Sequence, residues 1–219
     1  MTRREIERFF TALSRTWKEP LEVILIGGAA AVLAGSVRPT YDVDFEARPG
    51  GPSGPEDGDL LASAVNRATT ATGVEAQFSQ DIDRWGEVVM PPYRETAQRW
   101  RSFGRITVRL LEPSVYAVSK LRRGAEKDFE DIILVGRATG LSWKGLARSA
   151  GWSVRKSPMS TLLNPFIRRV DYFFRVHGRE LWGERFKADE AMALFRQLSV
   201  RSRKRERRAT SRERKQSMV

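Results

Sequence analysis

Apolar residues recur at three- and four-residue intervals from the start of the chain. Ile6, Phe9, Phe10, Leu13 and Trp17 share one helical face, which predicts an amphipathic helix over 2–17, ended by Pro20. The pattern then changes. "LEVILIGG" (21–28) is continuously apolar and β-branched, as in a buried strand running into glycines, and "AAAVLAG" (29–35) reads as a short helix closed by Gly35. "TYDVDFEA" (40–47) alternates strictly. That predicts a second strand with Tyr41, Val43 and Phe45 on one face and Asp42, Asp44 and Glu46 on the other.

A Pro- and Gly-dense stretch at 48–58 is a loop, after which Asp59 caps a helix to about Thr72 with Leu60, Leu61, Ala64, Val65 and Ala68 inward. Further strands are expected at 74–79, 86–90 and 105–111. From Pro113 onward the periodicity is helical, over 113–123, 126–137, 142–150, 160–177 and 188–199. The fold class is therefore α+β: a small mixed β-sheet packed with helices over 1–135, then a helical C-terminal region over 136–200. Residues 201–219 have almost no apolar side chains and are expected to be a disordered basic tail.

Composition narrows the chemistry. With no cysteine and only His177, thiolate metal sites, cysteine nucleophiles and His-rich centres are excluded. His177, before Gly178, reads as a helix C-terminal residue beside the dipole. No signal-like or membrane-spanning run is visible, so the expectation is a soluble, cytoplasmic protein with no membrane association. The net charge is +12, of which +7 falls in residues 201–219. Such a tail is either a nucleic-acid arm or a solubilising terminus. Basic residues interleave with Trp143, Trp152, Phe166, Tyr172 and Phe173 in the later helices; core packing is the preferred reading over base-stacking platforms.

Against that charge, Asp42 and Asp44 stand out. Carboxylates at i and i+2 on a strand share a face, repel one another and resist desolvation; a divalent cation between them relieves both penalties. Mg²⁺ favours carboxylate oxygens together with substrate phosphates, and glycines such as Gly27 and Gly28 before a helix let backbone N–H groups approach a phosphate. Arg38 and Thr40 add a charge and a hydroxyl nearby.

Gly27-Gly28, thirteen residues, then Asp42-x-Asp44 resembles the nucleotidyltransferase superfamily, with its DNA polymerase beta-like fold. Arg38-Pro39-Thr40-Tyr41-Asp42-Val43-Asp44-Phe45 is similar to the pattern of the AbiEii/MenA-type toxin nucleotidyltransferases, and "VYAVSKLRRGAEKDFEDI" (115–132) to their later lysine and acidic helix. The resemblance covers about 21–135. It implies Mg²⁺ (or Mn²⁺) on Asp42 and Asp44, catalytic roles for Lys120 and for Asp128 or Asp131, and an NTP substrate bound by Gly27, Gly28, Arg38 and Thr40. The implied reaction is attack of a hydroxyl on the α-phosphate with departure of pyrophosphate. RNA, tRNA included, is the implied acceptor, within a toxin–antitoxin system having an antitoxin or toxin partner protein. The superfamily's third carboxylate has no assigned counterpart: Glu75, Glu87 and Glu112 are candidates, and Arg109 stands on the expected strand. Transfer to a small molecule or a protein, or a catalytically inactive antitoxin or RNA-binding partner, are the alternatives. On an ordinary solvated helix, Lys127 would instead pair with Asp131 at i, i+4.

Overall fold

The computed structural model describes residues 1–35, 40–50, 55–84 and 86–200, with the backbone alone for 55–57. Helix α1 (Arg3–Thr16) opens on a capping box, in which the Thr2 hydroxyl accepts from the Glu5 N–H and the Glu5 carboxylate accepts from the Thr2 N–H. Ile6, Phe9, Phe10 and Leu13 on its inner face are fully buried. Phe9 and Phe10 lie 6.1 and 5.8 Å from the ring of Phe45, and Phe10 stacks 5.7 Å from Phe103. These contacts seal one face of a five-stranded mixed sheet.

The sheet comprises β1 (Leu21–Leu25), β2 (Asp42–Pro49), β3 (Glu75–Ser79), β4 (Gln98–Phe103) and β5 (Ile106–Leu110), in the order β3-β2-β1-β5-β4. Strand β1 pairs antiparallel with β2 and parallel with β5; β2 pairs parallel with β3, and β4 antiparallel with β5. Helix α2 (Gly27–Leu33) links β1 to β2, and α3 (Pro55–Thr72) returns from β2 to β3 and packs beside α1. On β2 the alternation works as expected for Val43 and Phe45, which are buried, Phe45 against Phe9 and Phe10 of α1.

After the single turn α4 (Tyr93–Thr96) and the β4–β5 hairpin, the chain is helical: α5 (Pro113–Arg123), α6 (Glu126–Thr139), α7 (Trp143–Lys156), α8 (Leu163–Tyr172), α9 (Gly178–Trp182) and α10 (Ala188–Ser199). Gly124, at φ +68°, ends α5 and returns an N–H to the Lys120 carbonyl, so α6 folds back alongside α5. Arg169 of α8 fastens that corner, donating to the carbonyls of Leu121 and Arg122. Among the described residues no helix is long and apolar enough to cross a membrane.

Several expected elements differ. Residues 86–90 are not a strand: Val88 and Met90 are buried, but the N–H groups of Val89 and Met90 go to the Ser157 hydroxyl and the Asp83 carboxylate instead of a ladder. Strand β4 was not expected, because a register shift between Arg99 and Arg101 breaks its alternation. Helix α3 begins at Pro55, not after Asp59. The helix expected over 160–177 is α8 followed by a π-helical turn, Phe173–His177, and the chain continues directly into α9. His177 is therefore not at a helix end; its ring packs on Phe129, Tyr172 and Phe173 at 5.5–5.7 Å. Phe166 and Phe173 are core residues, whereas Tyr172 is partly exposed. The basic tail, 201–219, lies outside the described residues.

Candidate functional site

Asp42 and Asp44 project from β2 on the face opposite α1, and both are half-buried. The strand is tied to the preceding turn by the Ile26 N–H, which donates to the Asp44 carbonyl at 3.0 Å. Gly27 follows with φ +63°, and a Cβ placed there would stand 2.7 Å from Asp44 Oδ2. At Gly28 a Cβ would stand 2.2 Å from the Thr40 hydroxyl. The Gly-Gly pair thus makes room for Asp44 and Thr40 to lie directly on the backbone of α2. Helix α2 starts at Gly27, two residues earlier than expected, and is only seven residues long. The contribution of the glycines is space and conformation more than a helix dipole. The Tyr116 hydroxyl holds the turn from the other side, donating to the Gly27 carbonyl at 3.2 Å.

Asp44 has its carboxyl raised above the usual range, first by burial and then by the neighbouring Asp42; Lys120 and Arg123 act in the opposite direction. Those two cations come from α5. Lys120 is buried and its ammonium lies 2.6 Å from Asp131 Oδ2 and 3.6 Å from Asp128 Oδ1. Asp128 also takes both arms of the Arg123 guanidinium and the Ala125 N–H. Burial works to raise the Asp128 carboxyl, but Arg123, Ala125 and Lys120 together hold it below the usual range. Asp128 and Asp131 are both fully buried, so the pairing of Asp131 with Lys127 on a solvated face is not what forms: Lys127 is exposed, and Lys120 takes the carboxylate.

Two adjoining compartments result. The first, about 240 Å³, is lined by Gly27, Gly28, Thr40, Asp42, Lys127 and Tyr41 among others. The second, about 200 Å³, adds Ile26, Ile82, Ser119 and Arg122. Gly27, Asp44, Lys120 and Arg123 border both. Neither alone reaches the roughly 300–1,000 Å³ of ordinary ligand pockets, but together they do. A wider groove of about 470 Å³ beside Phe174 and Phe186 carries Arg179 together with walls paired to one another, Arg175 with Asp189 and Lys187 with Glu190.

The structure therefore brings together Asp42, Asp44, Gly27, Gly28, Thr40 and Lys120, with Asp128 and Asp131 behind Lys120. Arg38 lies outside the described residues. Tyr41 is 86% exposed at the cleft edge and not on the buried face with Val43, because β2 begins only at Asp42. The third acid of the alternation, Glu46, is buried in polar contacts that its pattern did not reveal. It accepts from Tyr93 Oη at 2.5 Å, Arg94 Nε at 2.7 Å and the Ile82 N–H at 3.0 Å.

Among the candidate third ligands, Glu75 is exposed although in register with Asp42, Glu87 pairs with Arg169, Glu112 accepts from the Ser114 hydroxyl, and Arg109 pairs with Glu22. Among the described residues no three His, Asp or Glu side chains group as a metal site. Compared with protein-family models, with curated proteins and with solved structures, the chain has no match.

Proposed function

We propose that this cleft binds a nucleoside triphosphate with a divalent cation and transfers the nucleotidyl group to an RNA acceptor, tRNA being the first to test. The reading is carried by one arrangement: Asp42 and Asp44 on one sheet face, laid against the side-chain-free backbone of Gly27 and opposed by Lys120 and Arg123. The donor set suits Mg²⁺, or Mn²⁺, shared with a triphosphate: two carboxylates and no closed protein cage are what a cation that keeps substrate phosphate oxygens as ligands needs. When bound, such a cation supplies charge neutralisation at the reacting phosphate.

The chain's own residues do the rest. Asp42 and Asp44 hold the cation. Lys120 has three N–H donors, and Asp131, which accepts one of them, fixes where the ammonium stands. Lys120 and Arg123 then neutralise phosphate charge in a partly dry cleft, where positioning and electrostatics supply most of the rate in phosphoryl transfer. Thr40 and the backbone at Gly28 face the first compartment, beside Lys127, and suit the terminal phosphates. Asp128 and Asp131 act through Lys120 and Arg123 as positioning residues. The RNA acceptor rests on the sequence resemblance together with the net charge of +12, and the antitoxin or toxin partner on the resemblance.

The scarcity of acids around Asp42 and Asp44 favours a second reading, a nucleotide- or RNA-binding protein without transfer activity. One experiment separates the two. The protein is incubated with Mg²⁺, each α-labelled NTP and total tRNA, beside Asp42→Ala/Asp44→Ala. Label entering RNA with the wild type alone supports transfer; NTP binding without incorporation into RNA, protein or small acceptors supports the second reading. Absence of both binding and incorporation removes the nucleotide from the account.

A further inference from the structure

The segment joining β3 to β4 is held in place by polar side chains instead of a sheet. Glu46 anchors it from β2 through the Ile82 N–H, Tyr93 and Arg94, and Arg94 also bridges to Asp81 at 3.1 Å. From α5, Arg122 donates to the carbonyls of Ile82 at 3.3 Å and Asp83 at 2.9 Å and pairs with the Asp83 carboxylate at 3.1 Å. Gly86 lies against that guanidinium so closely that a Cβ would fall 1.4 Å from Nη2. Ile82 is thus gripped on both sides of its peptide unit, by the strand that carries Asp44 and by the helix that carries Lys120. Half-buried, Ile82 forms a wall of the second compartment.

The compartments differ in chemistry. The first offers Thr40, Asp42 and Lys127, while the second offers Ile26 and Ile82 with the Ser119 hydroxyl and the Arg122 guanidinium at the side. A nucleoside triphosphate is divided in the same way, into a polyanionic tail and a base whose faces are apolar. We infer, resting on the function proposed above, that the second compartment receives the nucleoside half of the ligand. Ile82 is its specificity-determining wall, and Glu46 is the positioning residue that sets the width between that wall and Asp44. Glu46 accordingly serves the site without belonging to the cation's ligand set, although it continues the Asp42–Asp44 alternation.

The test is equilibrium binding, in Mg²⁺, of ATP, GTP, CTP and UTP and of inorganic tripolyphosphate, which lacks the nucleoside. The variants are Ile82→Trp, which fills the compartment from a half-exposed loop position, and Glu46→Gln, which keeps shape and removes charge. Wild type is expected to prefer at least one NTP over tripolyphosphate by about ten- to a hundredfold, the scale of burying one base. Ile82→Trp is expected to abolish that preference with tripolyphosphate affinity unchanged, and Glu46→Gln to reduce it severalfold in the same selective way. A purely structural role for Glu46 would instead weaken both ligands together, and that result overturns its assignment. A preference unchanged in Ile82→Trp, whether both affinities hold or weaken equally, overturns the inference and leaves the proposed function standing. Wild type that binds neither ligand overturns the proposed function, and this inference with it.

Discussion

The ammonium of Lys120 and the carboxylate of Asp131 meet at 2.6 Å with both side chains buried, one helix turning back on the other to bring them together. A buried pair of this kind is costly to break from one side, since the survivor is left charged and dry; the usual penalty is about 3–5 kcal/mol. Lys120→Met is therefore expected to lower unfolding free energy by roughly that amount, measured by urea denaturation. Asp131→Leu in the same background is expected to recover a large part of it, and to leave nucleotide binding impaired because the positioned cation is gone. Recovery of both stability and nucleotide affinity in the double variant would show that Lys120 serves packing alone.

The position of Asp44 depends on an atom that Gly27 lacks. Alanine at 27 suffers twice, from a positive φ and from a Cβ placed 2.7 Å from Asp44 Oδ2. The backbone strain is worth about 1–2 kcal/mol. Gly27→Ala is expected to lower the melting temperature modestly and to remove the further stabilisation that Mg²⁺ with NTP gives the wild type. At ligand concentrations near a hundred times Kd, that stabilisation is about 2.7 kcal/mol. Thermal unfolding with and without Mg²⁺ and ATP reads both effects, and a ligand-induced shift as large as that of the wild type would argue against a cation at Asp44.

Asp128 sets an acid limit on the α5–α6 corner. Its folded carboxyl titrates below the ordinary value of 3.8, through the Arg123, Ala125 and Lys120 contacts that outweigh its burial. The unfolded chain therefore takes up this proton first as pH falls. The contribution of Asp128 is complete above about pH 4–5 and is lost progressively as pH drops through 3.8 toward the folded value. Asp128→Asn is expected to reduce stability at pH 7 and to flatten the dependence between pH 5 and pH 2, followed by urea midpoints across that range. A slope identical to that of the wild type would show that other carboxylates govern acid unfolding.

The parts of this molecule governed by local periodicity are readable from its residues. Ile6, Phe9, Phe10 and Leu13 specify α1, and Val43 and Phe45 specify which face of β2 is inward. The nearness of Gly27 to Asp44 follows from a short helix returning into an antiparallel neighbour strand. Contacts made at long range are not readable in this way. Glu46 looks like one more exposed acid until Tyr93 and Arg94, nearly fifty residues on, are placed beside it. "GEVVM" has a strand's composition, yet the N–H groups of Val89 and Met90 are satisfied by Ser157, which caps the C-terminus of α7, and by Asp83. The bulge in β4 hides its alternation from any period-two template. Spacing alone pairs Asp131 with Lys127 at i, i+4; the Gly124 turn, which folds α6 back on α5, brings Lys120 to it instead.

Charge at the end of the chain yields the last prediction. Residues 201–219 hold nine Lys and Arg against two Glu, more than half of the net +12. If the acceptor is RNA and this segment contacts its phosphates, each contact releases condensed counterions, and the slope of log K against log salt is about −0.7 per phosphate on a single strand. Removal of 201–219 is expected to weaken binding of total tRNA and to flatten that slope by at least about 2, equivalent to three or more phosphates lost. NTP and tripolyphosphate affinities are expected to stay as they are, because the cleft is built from β2, α2, α5, Lys127 of α6 and Ile82 between β3 and β4. A slope unchanged on truncation would assign the RNA contacts to the folded part of the chain. A loss of NTP affinity on truncation would instead mean that the tail reaches the cleft itself.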